Sequence, residues 1–300
     1  MKPIHNVIPA DFTEQVDVGR RFSGIARLYG QPALERFRAA HVCVIGVGGV
    51  GSWIVEALAR SAVGALTLID FDNVAESNIN RQVQAMSATI GQAKIDALAE
   101  RIAQINPYCK VTLVEEFITP DNLGRLIGTG SSGAARYDYV IDAIDSARDK
   151  AALIAHCRQY GIALMTIGGA GGQTDPTKIA VRDLSKTEQE PLLKRVRKLL
   201  RTHYGFPRGE KNKFNVDAVF SMEPLQFPAA NADSTLDADQ SDNTGNIGNI
   251  GNTGSAGISG INCAGFGSCV VVTASFGMVA AAHALKSLRQ PQAEALPDAA

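Results

Sequence analysis

The sequence predicts an α/β fold, a doubly wound and mostly parallel sheet of the Rossmann type with helices on both faces. From residue 41 onward, short apolar runs alternate with amphipathic segments, as in strands joined by crossover helices. A glycine-rich turn at 46–51 follows the first run, and acidic residues recur where later strands end. These observations favour one large domain over residues 19–289 of the 300-residue chain.

The elements of the first half alternate regularly. Strands are expected at 41–45, 65–69, 111–115, 139–143 and 163–167, and helices at 52–60, 92–105 and about 149–160. Pro107 ends the second helix, because helical backbone is disfavoured before a proline. The carboxyl ends of such parallel strands meet at one edge of the sheet, where binding sites collect.

The rhythm is lost from about residue 168, and we interpret the remainder as the substrate-specific part. It contains a short strand at 179–182, a basic helix at 191–201 and an apolar helix at 269–285. We expect the apolar helix to lie in a core or a subunit interface, with membrane association of 262–285 as the alternative. Residues 1–18 are expected to form a loosely ordered arm, and the Asn- and Gly-rich segment 229–260 a disordered loop.

Composition narrows the classes of protein. Apolar residues make up 45% and charged residues 20%, which is typical of a globular protein. A net charge of −1 means that any nucleic acid must be held by a local basic patch. The five scattered cysteines form no C-x-x-C pair, which predicts no zinc, and their odd number without a signal peptide predicts a cytoplasmic location.

The glycine-rich turn has the pattern G-x-G-G-x-G, formed by Gly46, Gly48, Gly49 and Gly51. Between a strand and a helix, it lets the backbone approach phosphate oxygens, whose charge the helix amides meet. Asp70 ends the next strand and would accept hydrogen bonds from ribose hydroxyls. An ATP-using enzyme and a nicotinamide-dependent dehydrogenase both fit these features.

The residues downstream favour ATP. Arg81 and Lys94 would neutralise charge as a carboxylate attacks the α-phosphate, which hydride transfer does not require. Asp142 and Asp145 follow the strand at 139–143, and Asp145 could hold Mg²⁺ on the departing pyrophosphate. The alternative for each cation alone is a solvated surface charge.

These residues resemble the E1-like adenylating superfamily, which includes activators of ubiquitin-like sulfur carriers, over roughly residues 41–182. The resemblance implies a ThiF-type adenylation domain that uses ATP and Mg²⁺. It assigns Gly49 to the ATP loop, Asp70 to the ribose, Asn78, Arg81 and Lys94 to phosphates, and Asp145 to Mg²⁺, and we add Asp72 and Gln82 to the expected nucleotide site. The superfamily's zinc cysteines are missing, and Gly24 replaces an arginine expected after Arg21, leaving Arg21 or Arg27 as substitutes.

Over nearly the whole chain, the sequence is most similar to the tRNA threonylcarbamoyladenosine dehydratases. The similarity lies in RFSGIARLYG at 21–30, GGAGGQTDP at 168–176 and CAGFGS at 263–268. It implies ATP-dependent cyclisation of the threonylcarbamoyl group on adenosine 37 of tRNA, through a carboxylate adenylate. It also implies a homodimer and a link to a cysteine desulfurase system, with Cys263 as a candidate thiol or simply a small buried residue.

A cationic strip at 189–213 is the residue-level indication of RNA. Lys194, Arg197, Lys198 and Arg201 are expected to contact tRNA phosphates, with a solvated helix face as the alternative. Tyr204, Phe206 and Phe214 interleave the strip and either stack on bases or pack on the core. Besides the dehydratase, the alternatives are sulfur-carrier adenylation, a nicotinamide-dependent dehydrogenase and a non-enzymatic tRNA-binding scaffold.

Overall fold

The computed structural model describes residues 16–128, 135–209, 211–226 and 266–290. Within them, one seven-stranded sheet has the order β3-β2-β1-β4-β5-β7-β6, and every neighbouring pair is parallel except β6 and β7. The strands are β1 His41–Ile45, β2 Ala65–Ile69, β3 Lys110–Val114, β4 Tyr139–Asp142, β5 Leu164–Ile167, β6 Ile179–Asp183 and β7 Asp217–Ser221. The predicted α/β class is confirmed.

Helices cover both faces of this sheet. In chain order they are α1 Val18–Tyr29, α2 Gln31–Ala39, α3 Gly51–Arg60, α4 Lys94–Ile105, α5 Leu123–Leu126, α6 Ala147–Gln159, α7 Pro191–His203 and α8 Val270–Leu288. Successive side chains of β1 alternate between the two faces: Val42 and Val44 pack with α3, α4 and α8, whereas Cys43 and Ile45 pack with α5 and α6. A third cluster joins α6 and α7 to β7. The domain is therefore doubly wound.

The predicted strands and helices lie within a few residues of the observed ones, whereas α1, α2, α5 and β7 were not predicted. Helix α1 begins at Val18, inside the range expected to be an unstructured arm, because Asp17 caps it by accepting a hydrogen bond from the Arg20 amide at 2.9 Å. Strand β7 pairs with both β5 and β6 although it comes late in the chain. Residues 1–15, the predicted loop 229–260 and Cys263 lie outside the described residues.

Helix α8 supplies a large part of the core. Val272, Phe276, Ala280 and Ala284 are fully buried, and Gly277 allows α3 to approach so closely that a methyl group there would lie 2.7 Å from Cβ of Trp53. By length and composition alone, α8 could also cross a membrane. The prediction was a helix in a core or a subunit interface, and its packing on α3 agrees with the first of these.

Candidate active site

A cavity of about 530 Å³ opens at the carboxyl edge of the sheet, between β1 and β4. The chain passes from β1 to β2 on one side and places β4 on the other, so this is the topological switch point where open α/β sheets bind ligands. The size is within the usual range for small-molecule sites, roughly 300–1,000 Å³. The cavity brings together the following predicted site residues: Gly46, Gly48, Gly49, Asp70, Asp72, Asn78, Arg81, Gln82, Lys94 and Asp145.

The glycine-rich turn forms one wall of the cavity. Gly46 has a φ of 80°, a left-handed conformation that favours glycine, and it packs against the backbone of Ala143 after β4. Gly51 does not line the cavity: a methyl group there would lie 1.8 Å from the Gly46 carbonyl oxygen. Gly51 therefore permits the close return of the chain into α3, while Gly48 and Gly49 face the cavity.

Asp70 holds the turn from the side of β2. Its carboxylate accepts hydrogen bonds from the amides of Val47 at 2.7 Å and Asp72 at 2.9 Å. Burial raises the pKa of Asp70, whereas the positive charge of Lys94 and the two amides act in the opposite direction. Each carboxylate oxygen keeps a second lone pair, which can accept a hydrogen bond from a ligand hydroxyl.

Lys94 begins α4 and is buried at 7% exposure. Its ammonium group donates to Asp72 at 2.7 Å, so Asp72 orients Lys94 as well as lining the cavity. An ammonium group has three donors, so two remain for a ligand. A buried, oriented cation is suited to a phosphate group, because little solvent competes for it.

Arg81 lies across the cavity mouth on the segment that follows β2. Its guanidinium donates to the Ser77 carbonyl at 2.8 Å and to Asn80 Oδ1 at 3.0 Å, and its side chain packs on Gly49. Asn78 is buried and accepts a hydrogen bond from the Ala75 amide, which shapes this segment.

Gln82 completes this wall beneath the glycine-rich turn. Its side chain accepts a hydrogen bond from Gln84, which also donates to the Val47 carbonyl. The two glutamines thereby join the Arg81 segment to the turn.

Asp145 is exposed in the turn between β4 and α6 and lines the cavity, as does Asp149. Within the described residues, no group of three potential ligands could hold a metal by itself. Mg²⁺ is usually held by one or two carboxylates together with substrate phosphates, so this donor set fits the ion. Asp142, by contrast, is fully buried behind the turn in an ion pair with Lys150.

The cavity also contains residues that were not predicted as site residues. Gly168, Gly169 and Ala170 follow β5, Ser268 precedes α8, Thr273 lies in its first turn, and Phe117 lies at the rim. In the sequence, the glycine run at 168–172 and the segment at 263–268 indicate only the resemblance to the dehydratases. Because they are far apart along the chain, the sequence does not show that the glycine run and residues 266–268 meet at the cavity: the Gly172 amide donates to Gly267 O at 2.9 Å, and Asn80 donates to Ser268 O at 2.8 Å.

Sequence comparison identifies the family to which this chain belongs. A model of the ThiF family matches residues 22–299. The chain belongs to the ThiF family. Within this family, it is 49% identical to a tRNA threonylcarbamoyladenosine dehydratase of Escherichia coli over 270 residues, which are 90% of this chain and 93% of that protein.

Solved structures agree with the sequence relatives. The crystal structure of the Escherichia coli tRNA N6-threonylcarbamoyladenosine dehydratase in complex with ATP matches with a TM-score of 0.74 and 47% identity over 90% of this chain and 94% of that one. The AMP complex of the same protein matches equally well. A molybdopterin-synthase adenylyltransferase of Salmonella typhimurium is 36% identical over only 45% of this chain and 51% of its own length. The Escherichia coli dehydratase thus matches twice as large a share of this chain as the Salmonella typhimurium adenylyltransferase does.

A second concave surface lies along α7. We call it the cationic groove. Among its described lining residues, only Glu188 is acidic, and the basic ones are Arg182, Lys186, Lys194, Arg195, Arg197, Lys198, Arg201 and Arg208.

The four predicted RNA contacts line this groove but differ in freedom. Lys194 and Lys198 are exposed, whereas Arg197 donates to Thr187 Oγ1 and Arg201 lies 5.2 Å from the Phe214 ring centroid. Burial and the charge of Arg201 lower the pKa of Arg197.

The structure also shows the positions of the three aromatic residues that interleave the predicted cationic strip. Phe206 and Phe214 pack in the core, and of the interleaving aromatics only Tyr204 is exposed. The prediction that Phe206 or Phe214 stacks on bases is therefore wrong, because neither ring is accessible, and the alternative of packing on the core is confirmed.

The two arginines named as substitutes for the residue at Gly24 lie on α1. Arg21 donates to the carbonyls of Gln104 and Ile105 at the end of α4, whereas Arg27 is exposed.

Proposed function

We propose that this chain catalyses the ATP-dependent cyclisation of N6-threonylcarbamoyladenosine at position 37 of tRNA. The reaction uses a carboxylate adenylate: a carboxylate oxygen attacks the α-phosphorus and pyrophosphate leaves. The N6 nitrogen, which joins the carbamoyl group to the adenine, then attacks the activated carbonyl carbon to close a five-membered ring, loses its proton and expels AMP. The net change in the nucleoside is the loss of one water.

The observation that carries this proposal is the extent of the match to the dehydratases. It reaches 49% identity over 90% of the chain and covers 93% of the relative's own length. The cavity has the cations that adenylation requires, because Lys94, at the start of α4, and Arg81, in the middle of the segment between β2 and α4, both line it. Ring closure within one substrate needs mainly a held geometry, so no catalytic thiol is required.

The proposed roles follow from position. Backbone amides of the glycine-rich turn and the start of α3 bind phosphate oxygens. Asp70 binds the ribose hydroxyls, and Lys94 and Arg81 neutralise charge that develops on the α-phosphate. Asp145 would hold Mg²⁺, which would neutralise charge on the pyrophosphate.

The test is pyrophosphate–ATP exchange together with AMP release and the mass of the nucleoside. We expect all three signals only with tRNA that bears threonylcarbamoyladenosine, since unmodified tRNA has no carboxylate to activate. Exchange with a small protein ending in Gly-Gly would instead indicate a sulfur-carrier activator. A chain whose melting temperature rises with NADH but not with ATP would be a dehydrogenase. ATP-binding protein that gives none of the three signals would contradict the dehydratase function.

We further propose that the cationic groove binds tRNA backbone. Its exposed lysines, Lys194 and Lys198, are the main phosphate contacts, and Arg197 and Arg201 also hold the segment in place. The support is the excess of positive charge on a concave surface, which is suited to a polyanion.

The remaining parts of the proposal concern partners and location. A homodimer is supported by apolar side chains left exposed on α8 and α1: Val271 at 55%, Met278 at 43% and Leu28 at 73%. Sedimentation of wild type and a Met278→Glu variant tests it, since a buried charge would dissociate a dimer formed there. The cysteine desulfurase link and the cytoplasmic location rest on the sequence, and Cys263 remains a predicted thiol.

A further inference from the structure

Glu190 joins two parts of the molecule that belong to different functions. It precedes α7 as its N-cap, where its carboxylate accepts hydrogen bonds from the amides of Leu192 and Leu193. The same carboxylate accepts a hydrogen bond from the Gly169 amide at 2.9 Å. Glu190 is only 5% exposed, so these contacts are made away from solvent.

Two of the three hydrogen-bond partners of Glu190 line the candidate active site. Gly169 lies in the loop after β5, and Leu192 in the first turn of α7, and each contributes to the wall of the cavity. The same helix then carries Lys194 and Lys198 into the cationic groove. At 1.5 Å per residue, the 13 residues of α7 span about 20 Å, so one helix leads from the cavity along the groove.

The loop after β5 is built around this carboxylate. A methyl group at Gly168 would lie 2.9 Å from Cγ and 3.0 Å from Cδ of Glu190, and at Gly169 it would lie 3.2 Å from Oε1. Glycine at both positions therefore allows the loop backbone to rest on Glu190. Burial raises the pKa of this carboxyl, while the three amides and the charge of Lys150 act in the opposite direction.

We propose that Glu190 is a positioning residue, which fixes the adenylation cavity relative to the RNA bound along α7. The inference rests on the proposed function, because it concerns a substrate held at both places at once. A tRNA anchored in the groove presents its carboxylate to the α-phosphate only if the groove and the adenylation cavity stay at a fixed distance from each other. Misplacement by about 1 Å can cost on the order of 10² in rate.

The first experiment compares Glu190→Ala with a control that loses a helix cap elsewhere. We expect Glu190→Ala to lower kcat for AMP release by roughly 10–100-fold while leaving the Kd for ATP and for tRNA unchanged. The control, Asp17→Ala, removes the N-cap of α1 and should reduce Tm without lowering kcat. A role limited to capping α7 would give Glu190→Ala the same pattern as Asp17→Ala, and would overturn the inference.

A double-mutant cycle with Gly168→Ala tests the contact itself. In the wild-type background the added methyl group meets Glu190 and displaces the loop, so kcat falls. In the Glu190→Ala background the obstruction is gone, and the second substitution should have little further effect. Losses that multiply independently would overturn the inference. A wild-type chain that releases no AMP with the modified tRNA would instead contradict the proposed function. The wild-type measurement therefore distinguishes failure of the proposed function from failure of the inference about Glu190.

Discussion

Lys150 and Asp142 form an ion pair without solvent exposure, with Nζ 2.8 Å from Oδ1. Lys150 also donates to the Asp142 carbonyl at 3.2 Å and to Thr166 Oγ1 at 3.1 Å, and Thr166 donates to Asp142 Oδ2 at 2.7 Å. This network fastens the end of β4 to β5 and α6. The turn that it supports packs on Gly46 and carries Asp145 to the cavity.

Removing the buried cation should therefore be costly. We expect Lys150→Met to lower the free energy of unfolding by about 3–5 kcal/mol, because it leaves the Asp142 carboxylate buried and unpaired. Urea denaturation measures the change. Lys150→Met combined with Asp142→Leu should recover part of the loss, since no charge is then left buried. If the free energy of unfolding of Lys150→Met lay within about 1 kcal/mol of the wild-type value, the contribution of an exposed ion pair, the result would show that water reaches the site.

Arg81 and Asp145 are expected to affect catalysis and not stability. Each substitution to Ala should lower the rate of adenylate formation by roughly 10²–10³, the usual effect of losing one preorganised charge-stabilising group. Asp145 is exposed, and within the described residues the Arg81 guanidinium hydrogen-bonds to Ser77 and Asn80 of its own segment, so Tm should change little. Pyrophosphate–ATP exchange and thermal unfolding separate the two effects. Near-normal turnover in both variants would remove both residues from the site.

The parts of the fold and site that could be predicted from the sequence are those determined by residues close together along the chain. The glycine-rich turn and the β1–α3 unit follow from a few adjacent residues, and both were predicted correctly. The role of Gly51 and the burial of Asp142 were not visible, because they depend on Gly46 and Lys150 contacting them in three dimensions. Strand β7 was missed for a related reason: its place between β5 and β6 is determined by pairing with both.

Glu56 gives a prediction about acid sensitivity. It is buried between α3 and α4 and accepts hydrogen bonds from Arg101 at 2.6 Å and 3.0 Å and from Arg60 at 2.7 Å. Burial raises the pKa of Glu56, but the hydrogen bonds and charges of Arg101 and Arg60 outweigh burial and lower it overall from the ordinary value of 4.5.

Because its pKa is lowered, the ionised form of Glu56 stabilises the folded state at pH values above the ordinary pKa of 4.5. This stabilisation is lost as the pH falls through the pKa of the folded state. Glu56→Gln should cost about 1.5–3 kcal/mol at neutral pH, the worth of a hydrogen bond to a charged group, and progressively less in acid. Urea denaturation of both proteins across the acidic range measures the difference. A difference that is independent of pH would assign the loss to packing.

The cationic groove yields the last prediction, which concerns tRNA. Replacing Lys194 and Lys198 by Ala should weaken binding and reduce the salt dependence by ~0.7–0.9 log units per lost phosphate contact, because fewer counterions are released. ATP affinity should remain, since neither lysine lines the adenylation cavity. We expect Arg197→Ala and Arg201→Ala to reduce stability as well, because these side chains also contact Thr187 and Phe214.

The matched control for the groove is the pair Arg38→Ala and Lys110→Ala. Both residues are exposed, and they lie at the end of α2 and the start of β3, toward the amino edge of the sheet and away from the cavity. The control changes net charge by the same amount, so it corrects for nonspecific attraction between protein and RNA. Filter binding across a salt series should give the lysine variant a shallower slope than both the control and wild type. Equal slopes for all three proteins would mean that the groove is a solvated surface and that the tRNA phosphates bind elsewhere.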